Sequence, residues 1–186
     1  VQGAVAPVGI VLAARDSPSK VNNVARLILT SPPVWDELIV PIPESKLKSN
    51  YDFYTSMLGK FALNLLENRA AIRFFSNLFL FEDNADDRFL DLACIDCQNP
   101  EARQPIMAFN SGLLQHRSFE DDLLNIEQPT LILSGNFDRR EAARASFVSE
   151  MKSCVARSIK GSNVLPWESP RETSEVIANF CSHDQS

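Results

Sequence analysis

The sequence predicts an α/β protein: a parallel sheet with flanking helices and a long inserted helical segment. Three apolar runs bounded by Pro or Gly are typical of buried strands, namely 24–33 (VARLILTSPP), 129–135 (PTLILSG) and 154–161 (CVARSIKG). Helical patterns precede or follow these runs, and such alternation favours parallel strands. The segment from about 34 to 124 has no β-rich run and is typical of amphipathic helices.

Composition restricts the classes of function. The chain has 186 residues, of which 45% are hydrophobic, enough for one domain with a sizeable core. Eighteen Lys and Arg residues against 24 Asp and Glu give a net charge of −6, which argues against a nucleic-acid partner. The apolar stretch at 74–81 (FFSNLFLF) is far shorter than the roughly 18 residues of a membrane span, so no span is predicted.

The opening residues are typical of a strand-to-helix turn. Small residues at Gly3-Ala4 suit a tight turn, and Pro7 suits the first position of a helix that ends near Arg15, because the amide hydrogen that Pro lacks would have no partner there. The strand that would enter this turn is expected before Val1. We therefore expect the chain to be a fragment.

Three further segments have helical patterns. The stretch 53–81 (FYTSMLGKFALNLLENRAAIRFFSNLFLF) predicts two or more amphipathic helices. Segments 141–153 and 170–181 have apolar residues at helical spacing, and the second begins with Pro. The carboxyl-terminal part of the chain therefore alternates strand and helix.

Cysteines and acidic pairs predict neither a metal nor another cofactor. Cys94 and Cys97 have the spacing of a redox or zinc motif, but the second ligand pair of a zinc site is missing. A redox pair normally opens a helix after a strand, whereas this one lies in a Leu- and Phe-rich stretch. We expect these two, Cys154 and Cys181 to be buried free thiols in a reducing compartment. The acidic pairs, such as Asp86-Asp87, lack the spacing of a calcium loop.

Three stretches carry a resemblance to a known family: 2–6 (QGAVA), 126–138 (IEQPTLILSGNFD) and 161–170 (GSNVLPWESP). They resemble the nucleophile elbow, the penultimate strand with its acid-bearing loop, and the base-bearing loop of the α/β-hydrolase superfamily. The resemblance covers the carboxyl-terminal half of that fold, from the elbow onward. It is strongest to the diverged branch found in plants and photosynthetic microbes.

The resemblance assigns the three positions of a Ser-His-Asp triad. Asp138 falls on the acid position and Ala4 on the nucleophile position, and counting back from Glu168 and Pro170 puts Asn163 on the base position. Ala4 has no nucleophilic atom, and Asn163 does not titrate near neutral pH. The resemblance therefore implies a triad that keeps only its acid. Asp138 is equally well read as a turn residue that caps the helix following it.

Other residues are candidates for a binding pocket. Ser31 comes at the end of the strand that follows the elbow helix, and open α/β sheets bind ligands at such strand ends, although a hydroxyl that satisfies loop backbone is the simpler interpretation. Trp35 and Trp167 flank the expected pocket loops, and either can instead fill the core. His116 is interpreted as a surface residue and His183 as part of a frayed end.

The predicted organisation has three parts. Residues 1–33 form the elbow, its helix and the following strand; 34–124 form a helical cap; 125–186 complete the hydrolase core. The first functional hypothesis is a protein of esterase-like ancestry with a degenerate triad that binds a small apolar molecule. Its alternatives are an active hydrolase of esters or similar carbonyl compounds, whose nucleophile or base is not recognised in this chain, and a structural product that self-associates through an exposed sheet edge. The resemblance implies a plastid or cytoplasmic location.

Overall fold

The strands that the structure describes form one parallel sheet. The structure is a computed structural model that describes residues 1–16, 23–99, 101 and 103–182. In this part of the chain, the strands β1 (Leu27–Thr30), β2 (Thr130–Gly135) and β3 (Cys154–Ile159) pair in the order β1-β2-β3, and both pairings are parallel. Every residue of the central strand β2 is buried, whereas the edge strand β3 is mostly exposed, so the burial predicted for 154–161 is wrong. The predicted parallel sheet with flanking helices is therefore confirmed.

Residues 1–2 extend the sheet beyond β1. Gln2 forms a parallel bridge with Thr30, whose amide donates a 2.9 Å hydrogen bond to the carbonyl of Val1. A 3₁₀ turn at Gly3–Val5 then leads into helix α1 (Ala6–Arg15), as the sequence predicts. Packing against the sheet fixes α1, because one of its faces is buried among the core side chains: Ala6, Ile10 and Ala13.

The chain divides into two compact units, residues 1–40 with 118–186 (the core unit) and 41–117 (the helical unit). Helices α2 (Trp35–Ile39) and α8 (Glu120–Leu124) belong to the core unit, although the sequence places both in the segment 34–124. This division follows from packing, because apolar side chains on and beside these helices lie in the same cluster as Leu29 and Ile132 of the sheet. These side chains are Trp35, Leu38, Phe119 and Leu123.

The helical unit is built from short helices, α3 (Glu44–Thr55), α4 (Met57–Leu66), α5 (Arg69–Phe79), α6 (Asp87–Cys97) and α7 (Arg103–Ser111). The side chains of Ser56, Asn68 and Asp86 accept hydrogen bonds from amides in the first turns of α4, α5 and α6. At the turn from α3 to α4, a Cβ on Gly59 would lie 2.1 Å from the carbonyl oxygen of Phe53. This close approach requires glycine.

The carboxyl-terminal part of the chain follows the predicted alternation with one difference. Helix α11 (Pro170–Ser182) matches the prediction, and a short helix α10 (Leu165–Glu168) precedes it. The helix expected at 141–153 is instead a 3₁₀ turn (Ala142–Arg144) followed by α9 (Ala145–Glu150). The side chain of Arg144 is buried against loops of the sheet, so this tight turn places a charged residue inward.

The four cysteines are free thiols, but they are less buried than the sequence predicts. Cys94, Cys97 and Cys154 are half-buried and Cys181 is exposed, so the expected full burial is wrong. Cys94 and Cys97 lie in the last turns of α6, not at the start of a helix. Burial raises the pKa of the Cys154 thiol to about 11.

The described residues contain neither a membrane-spanning helix nor a metal-binding cluster. No helix among them is both long and apolar enough to cross a bilayer. Nor do they bring together three or more His, Cys, Asp or Glu side chains able to hold a metal ion.

Candidate functional site

The candidate residues predicted from the sequence lie mainly in loops at the carboxyl ends of the three parallel strands. The loops after β2 and β3 cross in direct contact at Gly135, where a Cβ would lie 2.2 Å from the carbonyl oxygens of both Gly161 and Ser162. The amide of Phe137 donates a 3.1 Å hydrogen bond to the carbonyl of Gly161 across this crossing. The two loops therefore hold each other in place at the edge of the sheet.

The turn at the start of the chain lies beside the loop that follows β3. The Nε2 atom of Gln2 donates a 2.9 Å hydrogen bond to the backbone oxygen of Asn163. Gly3 has a φ of +56°, in the left-handed region, and Ala4 follows it in the 3₁₀ turn. The left-handed residue of the turn is thus Gly3, one position before the residue that the resemblance puts at the nucleophile. Neither Gly3 nor Ala4 has a nucleophilic atom.

Asp138 is a buried carboxylate with both oxygens engaged. Its Oδ2 forms a 2.5 Å ion pair with Nη1 of Arg144, and the two side chains are 4% and 3% exposed. Its Oδ1 accepts a 2.9 Å hydrogen bond from the amide of Arg140, two residues later, as Asp does when it closes a turn. The contacts of Asp138 are therefore those of a buried ion pair combined with a turn.

Arg144 joins three places at this edge of the sheet. Besides the ion pair with Asp138, its Nε donates a 2.7 Å hydrogen bond to the carbonyl of Pro32, in the loop after β1. Its Nη1 also lies 3.3 Å from Oγ of Ser134, near the end of β2. Removing one partner of a buried pair strands the other charge, which costs about 3–5 kcal/mol.

The remaining candidates separate into loop and core residues. Ser31 is buried with a φ of +45°, and its Oγ lies 3.5 Å from the carbonyl oxygen of Ser162, so it contacts the loop after β3. Trp35 packs edge-to-face on Phe147 with ring centroids 5.4 Å apart, within the core cluster. Trp167 is half-buried on α10.

Solved structures resemble this chain over nearly its whole length. MGS-M2, an α/β hydrolase enzyme from a Medee basin deep-sea metagenome library, matches 98% of the chain with a TM-score of 0.63 and 14% identity, and the match covers 64% of that protein. The chain has an α/β-hydrolase fold. The match to MenH from S. aureus covers all of this chain and 67% of that one (TM-score 0.66, 14% identity). For the proline iminopeptidase of Mycobacterium smegmatis, the shares are 96% and 62% (TM-score 0.61, 18% identity).

These matches establish the fold alone, and the plant and photosynthetic-microbe branch stays a prediction. The chain spans about two thirds of the length of these α/β-hydrolase structures, between 62% and 67%. No family model matches the sequence, and no curated protein matches it.

Sequence reasoning missed the residues that hold the loops of this α/β-hydrolase fold together. Glu168 was used only to locate Asn163, yet its Oε2 accepts a 2.9 Å hydrogen bond from the amide of Ser162. Gln2 and Arg144 were not singled out, because polar side chains that bond to distant backbone leave no local pattern.

Of the two histidines, His116 is exposed with Nδ1 2.9 Å from the carbonyl oxygen of Leu113, and His183 lies outside the described residues.

Proposed function

We propose that the protein is of esterase-like ancestry, that its triad has degenerated, and that it binds a small apolar molecule at the carboxyl edge of the sheet. The observation that carries this proposal is the hydrogen bond from Gln2 to the backbone oxygen of Asn163. It joins the elbow turn to the loop of the base position, so the two places where chemistry is expected are adjacent. Neither place has a nucleophile or a group that titrates near neutral pH.

The contacts of Asp138 support the same proposal. In acyl transfer, a serine attacks the carbonyl, a histidine takes its proton, and the acid orients the histidine. Here one carboxylate oxygen faces the guanidinium of Arg144 and the other accepts the amide of Arg140. Both oxygens of Asp138 are therefore engaged in structural contacts, and an acid alone does not catalyse acyl transfer.

The apolar character of the ligand is inferred from the side chains at this edge. Open α/β sheets bind ligands outside the carboxyl ends of their strands. Phe137, in the loop after β2, is 55% exposed. Trp167 is half-buried shortly after Asn163. Two aromatic residues with accessible surface, beside loops held rigidly by hydrogen bonds, suit an apolar ligand.

The test combines turnover with binding. We expect p-nitrophenyl acetate and butyrate to hydrolyse no faster with the protein than in buffer. We expect the neutral fluorophore N-phenyl-1-naphthylamine to bind, with its affinity reduced at least fivefold by Phe137→Ser. The matched control is Phe79→Ser in the helical unit, because Phe79 is 58% exposed. The control should leave the affinity within twofold.

Two outcomes would contradict the proposal. Ester turnover that disappears in an Asp138→Asn variant with the circular dichroism of the wild type would establish the alternative, an active hydrolase whose nucleophile or base was not recognised. Equal loss of fluorophore binding in Phe137→Ser and Phe79→Ser would show general adsorption to exposed aromatic residues instead of a site at the sheet edge.

A further inference from the structure

The guanidinium of Arg144 is the buried cation that links the loops after β1 and β2. Its residue is 2% exposed, and its acceptors come from three separate stretches: the carbonyl of Pro32, Oγ of Ser134 and Oδ2 of Asp138. A guanidinium suits this arrangement because its planar set of N–H donors points in several fixed directions. A lysine ammonium could face the carboxylate, but its shorter head would not span all three acceptors.

The position of Arg144 in the chain connects these loops to the core. It ends the 3₁₀ turn that leads into α9, and Phe147, one turn later, is fully buried against Trp35. Trp35 itself begins α2, three residues after Pro32. A loss of the bond to Pro32 should therefore alter the environment of the Trp35 ring.

We propose that Arg144 is the positioning residue of the candidate site, fixing the loops after β1 and β2 through its three acceptors. The inference rests on the proposed function in one respect, namely that these loops form the ligand-binding edge. It also gives Asp138 a role that needs no histidine at the base position, because the carboxylate is the counter-ion of a buried arginine. The role is one of geometry as well as charge, and this distinguishes it from a simple ion pair.

The experiment uses Trp35 as a reporter. The chain has two tryptophans, so a Trp167→Phe background leaves Trp35 alone. Into this background we would place Arg144→Lys, which keeps the charge but not the reach, and Arg144→Met, which removes both. The matched control is Arg171→Met, since Arg171 forms an exposed 2.9 Å pair with Glu175 on α11, away from the loops after β1 and β2. The readouts are far-UV circular dichroism, acrylamide quenching of Trp35 and the affinity for N-phenyl-1-naphthylamine.

We expect Arg144→Lys to fold, to raise the quenching constant of Trp35 at least twofold and to weaken fluorophore binding at least threefold, while Arg171→Met changes neither. Quenching and affinity in Arg144→Lys equal to those of the Trp167→Phe background would overturn the inference, because charge alone would then suffice. If the wild type binds no fluorophore, the proposed function fails while Trp35 quenching still decides the role of Arg144. If neither Arg144 variant folds, Ser134→Ala removes one acceptor and should still raise quenching; unchanged quenching there would overturn the inference.

Discussion

The core unit and the helical unit bury different kinds of side chains. In the core unit, β2 is buried along its whole length and even a charged pair, Arg144 with Asp138, is enclosed. In the helical unit, large apolar side chains are exposed on α4, where Met57 is 89% and Phe61 59% accessible, while Ser76 of α5 is buried. A strand in the middle of a parallel sheet has neighbours on both edges and helices over its faces, whereas a helix needs to bury only one of its faces.

The largest expected effect compares one buried and one exposed apolar residue across the two units. Ile132, in β2, is fully buried, so Ile132→Ala should lower the free energy of unfolding by about 2–5 kcal/mol. Phe61→Ala should change it by no more than about 0.5 kcal/mol. Urea denaturation of both variants measures the difference. Similar losses would mean that the helical unit is packed as tightly as the sheet.

An intermediate effect is expected at two glycines in equally close contacts. A Cβ would lie 2.2 Å from backbone oxygen at Gly135 and 2.1 Å at Gly59, so alanine at either position forces backbone to move, at a cost of about 1–3 kcal/mol. Gly59 lies within α4, where alanine recovers about 1 kcal/mol of helix propensity.

We therefore expect Gly135→Ala to lower the thermal midpoint more than Gly59→Ala. The opposite order would show that the crossing of loops at the sheet edge is the more adaptable contact. Circular dichroism at 222 nm serves as the readout for both variants.

The smallest effect on the fold concerns the thiols and sharpens the comparison chemically. Because burial raises the pKa of Cys154 to about 11, only about one thousandth of this thiol is ionised at pH 8. Iodoacetamide should therefore modify the exposed Cys181 first, and the rate at Cys154 should rise about tenfold per pH unit up to pH 10. Peptide mass spectrometry follows both sites. Equal rates at pH 8 would contradict the burial of Cys154.

The sequence was informative where a local pattern determines the structure. The strand at 129–135 and the helix at 170–181 were predicted because continuous apolar runs and helical spacing are properties of neighbouring residues. Helices α2 and α8 were assigned to the cap segment because an amphipathic helix has the same pattern whether it packs on a sheet or on other helices.

The candidate site was less accessible to sequence reasoning because its contacts are non-local. Gln2 and Asn163 are 161 positions apart, and no spacing rule relates them. The resemblance assigned Asp138 to the acid position, but only the structure gives its partner Arg144. A charged residue such as arginine is expected at the surface, so its burial could not be predicted.

The left-handed backbone at Gly3 sets the energetic cost of placing a side chain at this position of the turn. Among the described residues other than its two chain neighbours, nothing lies within 4 Å of the place where a Cβ on Gly3 would stand, so the turn has room for a side chain. Its φ of +56° nevertheless penalises every residue with a Cβ, by about 1–2 kcal/mol. A lineage that kept glycine here would be spared that penalty, and one that installed a reactive side chain would have to recover the energy elsewhere in the molecule.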